Sequence, residues 1–183
     1  YKDLFAGDYA DAEDVELYSK LLLDAGEADA VTDLWDRVSV GANALEMRLK
    51  QAEMFAKQGD YGRAIAVLEK EHDPARVEPE RVYAMVRYEM ERGDYARAQP
   101  LIDDLIARGY DSATAQFYRG RVMLGLGDYK AAQTAFRAVK KARPGNKNID
   151  GWLDEVNGAL GEGSKAGAET ALSPLPLPRQ VLD

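Results

Sequence analysis

Apolar and small side chains recur along this chain at helical spacing, and the recurrence is itself periodic. The tripeptide Gly-Asp-Tyr stands at Gly59-Asp60-Tyr61, Gly93-Asp94-Tyr95 and Gly127-Asp128-Tyr129, each copy 34 residues after the last. Five residues after each glycine comes alanine (Ala64, Ala98, Ala132), and nine after comes a large apolar residue (Leu68, Ile102, Phe136). A weaker copy, with Ala25-Gly26, Ala30 and Leu34, lies upstream and one residue out of register. The pattern predicts a helix before each glycine and another after each aspartate. Glycine can end a helix in the left-handed conformation without a Cβ clash, and aspartate can accept from the first free N–H groups of the next helix. The tyrosine is expected to plug the corner between the two helices. Alanine allows close helix approach, while the large residue four positions on fills the same face. Such a pair cannot bury both faces alone, so the units must stack.

These residues resemble the tetratricopeptide repeat family. The best copy runs from Ala113 to about Pro144, with Gly120 seven residues before the turn glycine, then Tyr129, Ala132, Phe136 and Pro144. The copy at 45–78 carries Ala52, Phe55, Tyr61, Ala64 and Leu68, with Pro74 early. The copy at 79–112 has Val86 where the family favours a small residue. The resemblance covers roughly 11–146 and implies an all-α, right-handed α-solenoid of antiparallel helix pairs, with repeats at about 11–44, 45–78, 79–112 and 113–146. A capping helix is expected over 147–160, with Trp152, Leu153, Val156 and Leu160 on its apolar stripe. Thus 1–160 reads as one helical repeat domain. Residues 161–183 read as a Gly/Pro-rich linker or extended tail, whose Leu172, Leu175 and Leu177 should dock on a solenoid surface if ordered.

Two local features stand apart. Pro100 falls inside the second helix of its repeat, where an interior proline removes a backbone hydrogen bond, costs about 3 kcal/mol and predicts a bend. The stretch from His72 to Pro79 reads as a longer inter-repeat loop, with its histidine solvated.

The 183 residues hold 24 Lys+Arg, 32 Asp+Glu, one His and no Cys, for a net charge of −8. Acidity is concentrated at the front: residues 1–40 carry eleven acids against Lys2, Lys20 and Arg37, whereas 113–150 carry eight bases against Asp128 and Asp150. An overall acidic chain argues against general nucleic-acid binding. The same asymmetry predicts weak head-to-tail self-association or an acidic partner at the basic end. No apolar run approaches the ~18 residues that span a bilayer. Without cysteine there is no disulfide, thiolate nucleophile or cysteine-ligated metal, and one histidine leaves little for Ser/His chemistry. No phosphate-cradling glycine loop, metal-ligand spacing or nucleophile elbow is present. The sequence therefore reads as non-enzymatic, with no cofactor and no metal.

What the resemblance implies is a partner-binding module. Family members bind proteins or extended peptides in a concave groove lined by the first helix of each pair. On this chain the corresponding residues are Leu49 and Glu53, then Tyr83, Arg87 and Met90, then Phe117, Arg121 and Leu124. Tyr83/Arg87 and Phe117/Arg121 repeat one aromatic-then-arginine pair, suited to apolar contact plus carboxylate or carbonyl pairing. The Lys/Asn/Arg set that clamps acidic chaperone C-termini in some members is absent: Leu49, Glu53, Ala84, Thr114 and Tyr118 stand in its places. The alternative is a structural spacer or assembly platform within a larger bacterial envelope, pilus or polysaccharide-secretion protein. A start at Tyr1 and an end at Asp183 favour a piece of such an assembly, with periplasm or envelope ahead of cytoplasm, although lack of cysteine does not fix the compartment.

Overall fold

The computed structural model describes residues 12–39, 44–70 and 76–161. They form α1 (Ala12–Asp24), α2 (Ala28–Val38), α3 (Ala44–Lys57), α4 (Tyr61–Glu69), α5 (Pro79–Glu91), α6 (Tyr95–Ala107), α7 (Ala113–Gly125), α8 (Tyr129–Ala142) and α9 (Asn148–Ala159), with no strand among the described residues. Successive helices pair as α1/α2, α3/α4, α5/α6 and α7/α8, the pairs stack in chain order, and α9 packs on α8. The fold is an all-helical solenoid closed by a cap helix.

The repeated tripeptide builds the same corner each time. Gly59, Gly93 and Gly127 take φ of 79°, 78° and 77°. Each glycine N–H donates to the carbonyl three residues back, and the aspartate N–H donates five residues back, to Phe55, Glu89 and Met123 respectively. Both bonds satisfy carbonyls that the helix end leaves open. The aspartate carboxylate then starts the next helix, accepting from Arg63 N at 3.0 Å, Arg97 N at 3.2 Å and Ala131 N at 3.0 Å. Gly26 adopts the same φ of 79°, so the out-of-register upstream copy folds as the same turn. Its following residue, Glu27, makes no side-chain cap.

The small/large pairing locks each hairpin. Ala64, Ala98 and Ala132 are fully buried beside fully buried Leu68, Ile102 and Phe136. In the last pair the approach is close: a Cβ on Gly120 of α7 would stand 2.4 Å from Phe136 Cε1 of α8. Two of the three tyrosines also reach the following repeat. Tyr61 of α4 lies 6.2 Å, ring to ring, from Tyr88 of α5. Tyr95 of α6 lies so close to Gly125 of α7 that a Cβ there would meet its ring at 2.3 Å. Pro100 sits on the exposed side of α6, which continues unbroken to Ala107. His72 and the tail leucines lie outside the described residues.

Polar groups tie helices together both within a repeat and between repeats. Trp35 Nε1 of α2 donates to Ser19 Oγ of α1 at 2.7 Å, and Ser19 donates to the Val15 carbonyl at 2.6 Å. Arg48 of α3 and Lys70 after α4 both reach the Asp36 carboxylate of α2. Burial pushes the Asp36 pKa up, but the bonds and charges of Lys70 and Arg48 outweigh it and hold the carboxyl below its ordinary range.

The Ser39 hydroxyl and the Gln51 amide have no such compensation among the described residues. Gln51 of α3 is 0% exposed, and neither amide atom has a hydrogen-bond partner among the described residues. A buried amide without partners costs about 1–3 kcal/mol. Gln51→Met keeps the length and removes the polar atoms, so the variant should be about 1–2 kcal/mol more stable by urea denaturation. A lowered midpoint at unchanged slope would contradict that reading.

Candidate functional site

The first helices of the pairs, α1, α3, α5 and α7, stand side by side, each touching the next. On α5 and α7 their side chains form an aromatic and arginine cluster that continues onto α9. Tyr83 of α5 stacks on Tyr118 of α7, with ring centroids 5.3 Å apart and planes 15° from parallel. The Tyr83 hydroxyl reaches Ser112 Oγ at 3.2 Å. That serine also caps α7 by accepting from Ala115 N at 3.1 Å, so the start of α7 positions the tyrosine pair.

Arg87, one turn beyond Tyr83, donates from Nη2 to the Tyr88 hydroxyl at 3.0 Å and places its guanidinium 4.9 Å from the Tyr88 ring centre. Arg121, one turn beyond Phe117 on α7, lies 4.7 Å from the Trp152 ring centre on α9. Stacking on an aromatic face holds a guanidinium flat while leaving its N–H edge available. Burial weakens the hold of Arg121 on its proton, and the nearby charges of Glu91 and Glu155 oppose that shift. Among the described residues neither acid makes an ion pair with it. Tyr118 feels both arginines: burial raises its pKa, and Arg87 and Arg121 pull it back. The site is a cationic pair of flat, aromatic-backed donors separated by a phenol.

The residues expected from sequence divide into two groups. Tyr83, Arg87 and Arg121 are half-buried and converge around Tyr118. Leu124 is half-buried against the core of the last repeat, and Leu49 against that of the first two. Glu53 is exposed and paired with Lys57 at 3.3 Å. Met90 and Phe117 are core residues, 5% and 9% exposed. Phe117 is wedged against Phe136 at 6.2 Å and Trp152 at 6.3 Å, because the cap helix covers the side that Tyr83 keeps half-open. The repeated aromatic-then-arginine pair therefore splits, one ring at the surface and one inside. Tyr118, Tyr88 and Trp152 are the members that helical spacing on the first helices did not indicate. Trp152 carried a signal only as a cap-stripe residue.

Among the described residues no group of three or more His, Asp or Glu could hold a metal ion, and no helix is long and apolar enough to cross a membrane.

Residues 83–147, which include the whole of α5 through α8 beyond Val82, match the family model of the tetratricopeptide repeat. No curated protein sequence matches the chain. Among solved structures, YrrB, described as a TPR protein with an unusual peptide-binding site, aligns with a TM-score of 0.59 at 16% identity, over 83% of this chain and 79% of that one. MamA from Desulfovibrio magneticus RS-1 aligns with a TM-score of 0.61 at 17% identity, over 85% and 89%. MamA AMB-1 aligns with 0.59 at 17%, over 81% and 88%. At these identities the likeness is one of fold.

Proposed function

We propose that this helical solenoid, whose residues 83–147 match the tetratricopeptide-repeat model, is a non-enzymatic protein-binding module. Its working surface is the concave face carried by the first helices, centred on Tyr83, Arg87, Tyr118 and Arg121. The partner is an extended peptide or protein segment bearing carboxylates. The single observation that carries this reading is Arg121: a desolvated guanidinium backed by Trp152 that makes no ion pair with a described residue. A charge kept partly dry without an anion in direct contact is costly, and an incoming carboxylate would relieve that cost with charge-assisted, bidentate bonds. Arg87 offers a second such edge, and the Tyr83–Tyr118 stack offers apolar area between them. The peptide-binding site named for YrrB adds a precedent from a protein of the same fold.

The test is Arg87→Glu/Arg121→Glu, compared with wild type by pulldown from a native extract and by titration with acidic peptides at low and high salt. Partner binding should weaken at least tenfold, with the wild-type affinity itself falling as salt screens the arginines. A double variant that keeps every partner would move the working surface elsewhere and favour a spacer or assembly platform.

A further inference from the structure

The outward faces of α1 and α8 carry two stripes that match each other and are unmatched among the described residues. On α1, Asp14, Leu17, Leu21 and Asp24 are all exposed, the leucines at 63% and 54%. Their spacing of three, four and three residues places them along one helical line. On α8, Lys130, Thr134, Arg137 and Lys141 are all exposed, and their spacing of four, three and four gives another single line. Neither terminal aspartate of the first stripe, and none of the three cations of the second, makes an ion pair with a described residue. Lys140, on the neighbouring face of α8, is already held by Asp150 at 2.8 Å and leaves the stripe to the other three.

We infer that α1 of one molecule packs along α8 of a second copy of this chain. At 1.5 Å per residue the two aspartates stand about 15 Å apart along α1, and the two lysines about 17 Å apart along α8. Laid antiparallel, Asp14 meets Lys141 and Asp24 meets Lys130. Between these ends Leu17 and Leu21 lie over the aliphatic stem of Arg137, Ala138 and the methyl of Thr134, whose hydroxyl is turned back to the Lys130 carbonyl at 2.9 Å. The contact thus has an apolar centre and a charged bond at each end, the arrangement of a coiled-coil seam with flanking ion pairs. Charge supports the same occupant. The chain is acidic overall, so its basic stripe stands out from the rest of its surface, and the acid-ended stripe of its own first helix complements it. Because the two stripes are different surfaces, the contact is heterologous and extends into an open row of molecules rather than closing as a dimer. It leaves the Arg87/Arg121 face uncovered and does not depend on the reading of that face.

The experiment is static light scattering of the full chain across a concentration series at low and high salt, with two charge-reversal variants. Wild type should show a mass that rises with concentration at low salt and returns toward the monomer at high salt. Asp14→Lys/Asp24→Lys and Lys130→Glu/Lys141→Glu should each associate at least tenfold more weakly, and an equimolar mixture of the two should recover association, since each supplies the charge the other reversed. Zero-length carboxyl–amine cross-linking should join Asp14 or Asp24 to Lys130 or Lys141 between molecules. A wild type that is monomeric throughout overturns the inference. So do single variants that associate like wild type, a mixture without rescue, or cross-links from α1 only to Lys165, which would make the chain's own tail the occupant.

Discussion

Phe136→Ala is expected to lower stability by about 3–5 kcal/mol, the largest effect of any single truncation in the last repeat. The ring is fully buried, touches Phe117 at 6.2 Å and stacks on Trp152 at 5.9 Å, so its loss opens a cavity between three helices. It also sits where Gly120 leaves room. Gly120→Ala alone gains about 1 kcal/mol of helix propensity but drives a Cβ to within 2.4–2.9 Å of three ring atoms. A ring held on both sides cannot step aside cheaply, and overpacking costs about 1–3 kcal/mol, so the single variant should be less stable than wild type. In the Phe136→Ala background the clash is gone and Gly120→Ala should become stabilising. Urea denaturation of the four proteins gives the answer directly. If Gly120→Ala has the same sign in both backgrounds, the glycine is not there for the ring.

Arg81→Met should be destabilising by about 3 kcal/mol through a different mechanism. Arg81, 5% exposed on α5, donates to Glu78 at 2.6 Å and to the Leu68 carbonyl at the end of α4, with the Lys70 carbonyl at 3.5 Å. It therefore closes the open end of one repeat from within the next. Methionine fills much of the volume but leaves carbonyls and a buried carboxylate behind. Among the described residues Glu78 then keeps only Arg76, an exposed side chain at 3.4 Å. Removing both charges should hurt less than removing one, because the orphaned carboxylate is then absent as well. Arg81→Met/Glu78→Leu is accordingly expected to regain at least half of the loss in the same denaturation measurement. A double variant as unstable as the sum of its parts would mean that the carbonyl contacts, not the ion pair, carry the effect.

The first of these variants tests a feature visible in the primary structure, and the second one that is not. Each turn was legible because its chemistry is local. A glycine at φ near +78°, an aspartate three residues before the amide it caps, and an alanine on the face of a large residue four positions on are all relations within one helical hairpin. Repetition at 34 residues then made the stacking of hairpins a necessity, since each leaves an apolar face uncovered. The cap helix followed from the same reasoning, with α9 observed over Asn148–Ala159 where 147–160 was expected.

What surrounds each helix face lay beyond that reach. Tyr83 and Phe117 hold the same place in their repeats, yet one is half-open and stacked on Tyr118 while the other is sealed against Trp152. Periodicity states which residues share a face, but not which helix covers it, and α9 is a different neighbour from α7. Likewise, Gly-Asp-Tyr announces a corner, while only the packing of α6 on α7 places the Tyr95 ring on Gly125 of the following repeat. Arg81 looks in sequence like any charged helical residue near a proline; its burial exists because the end of α4 presents open carbonyls to it. Local hydrogen bonding and a fixed period determined the elements and their order. Burial, and with it the division of aromatic and arginine side chains between core and surface, was decided by contacts between repeats that differ in sequence.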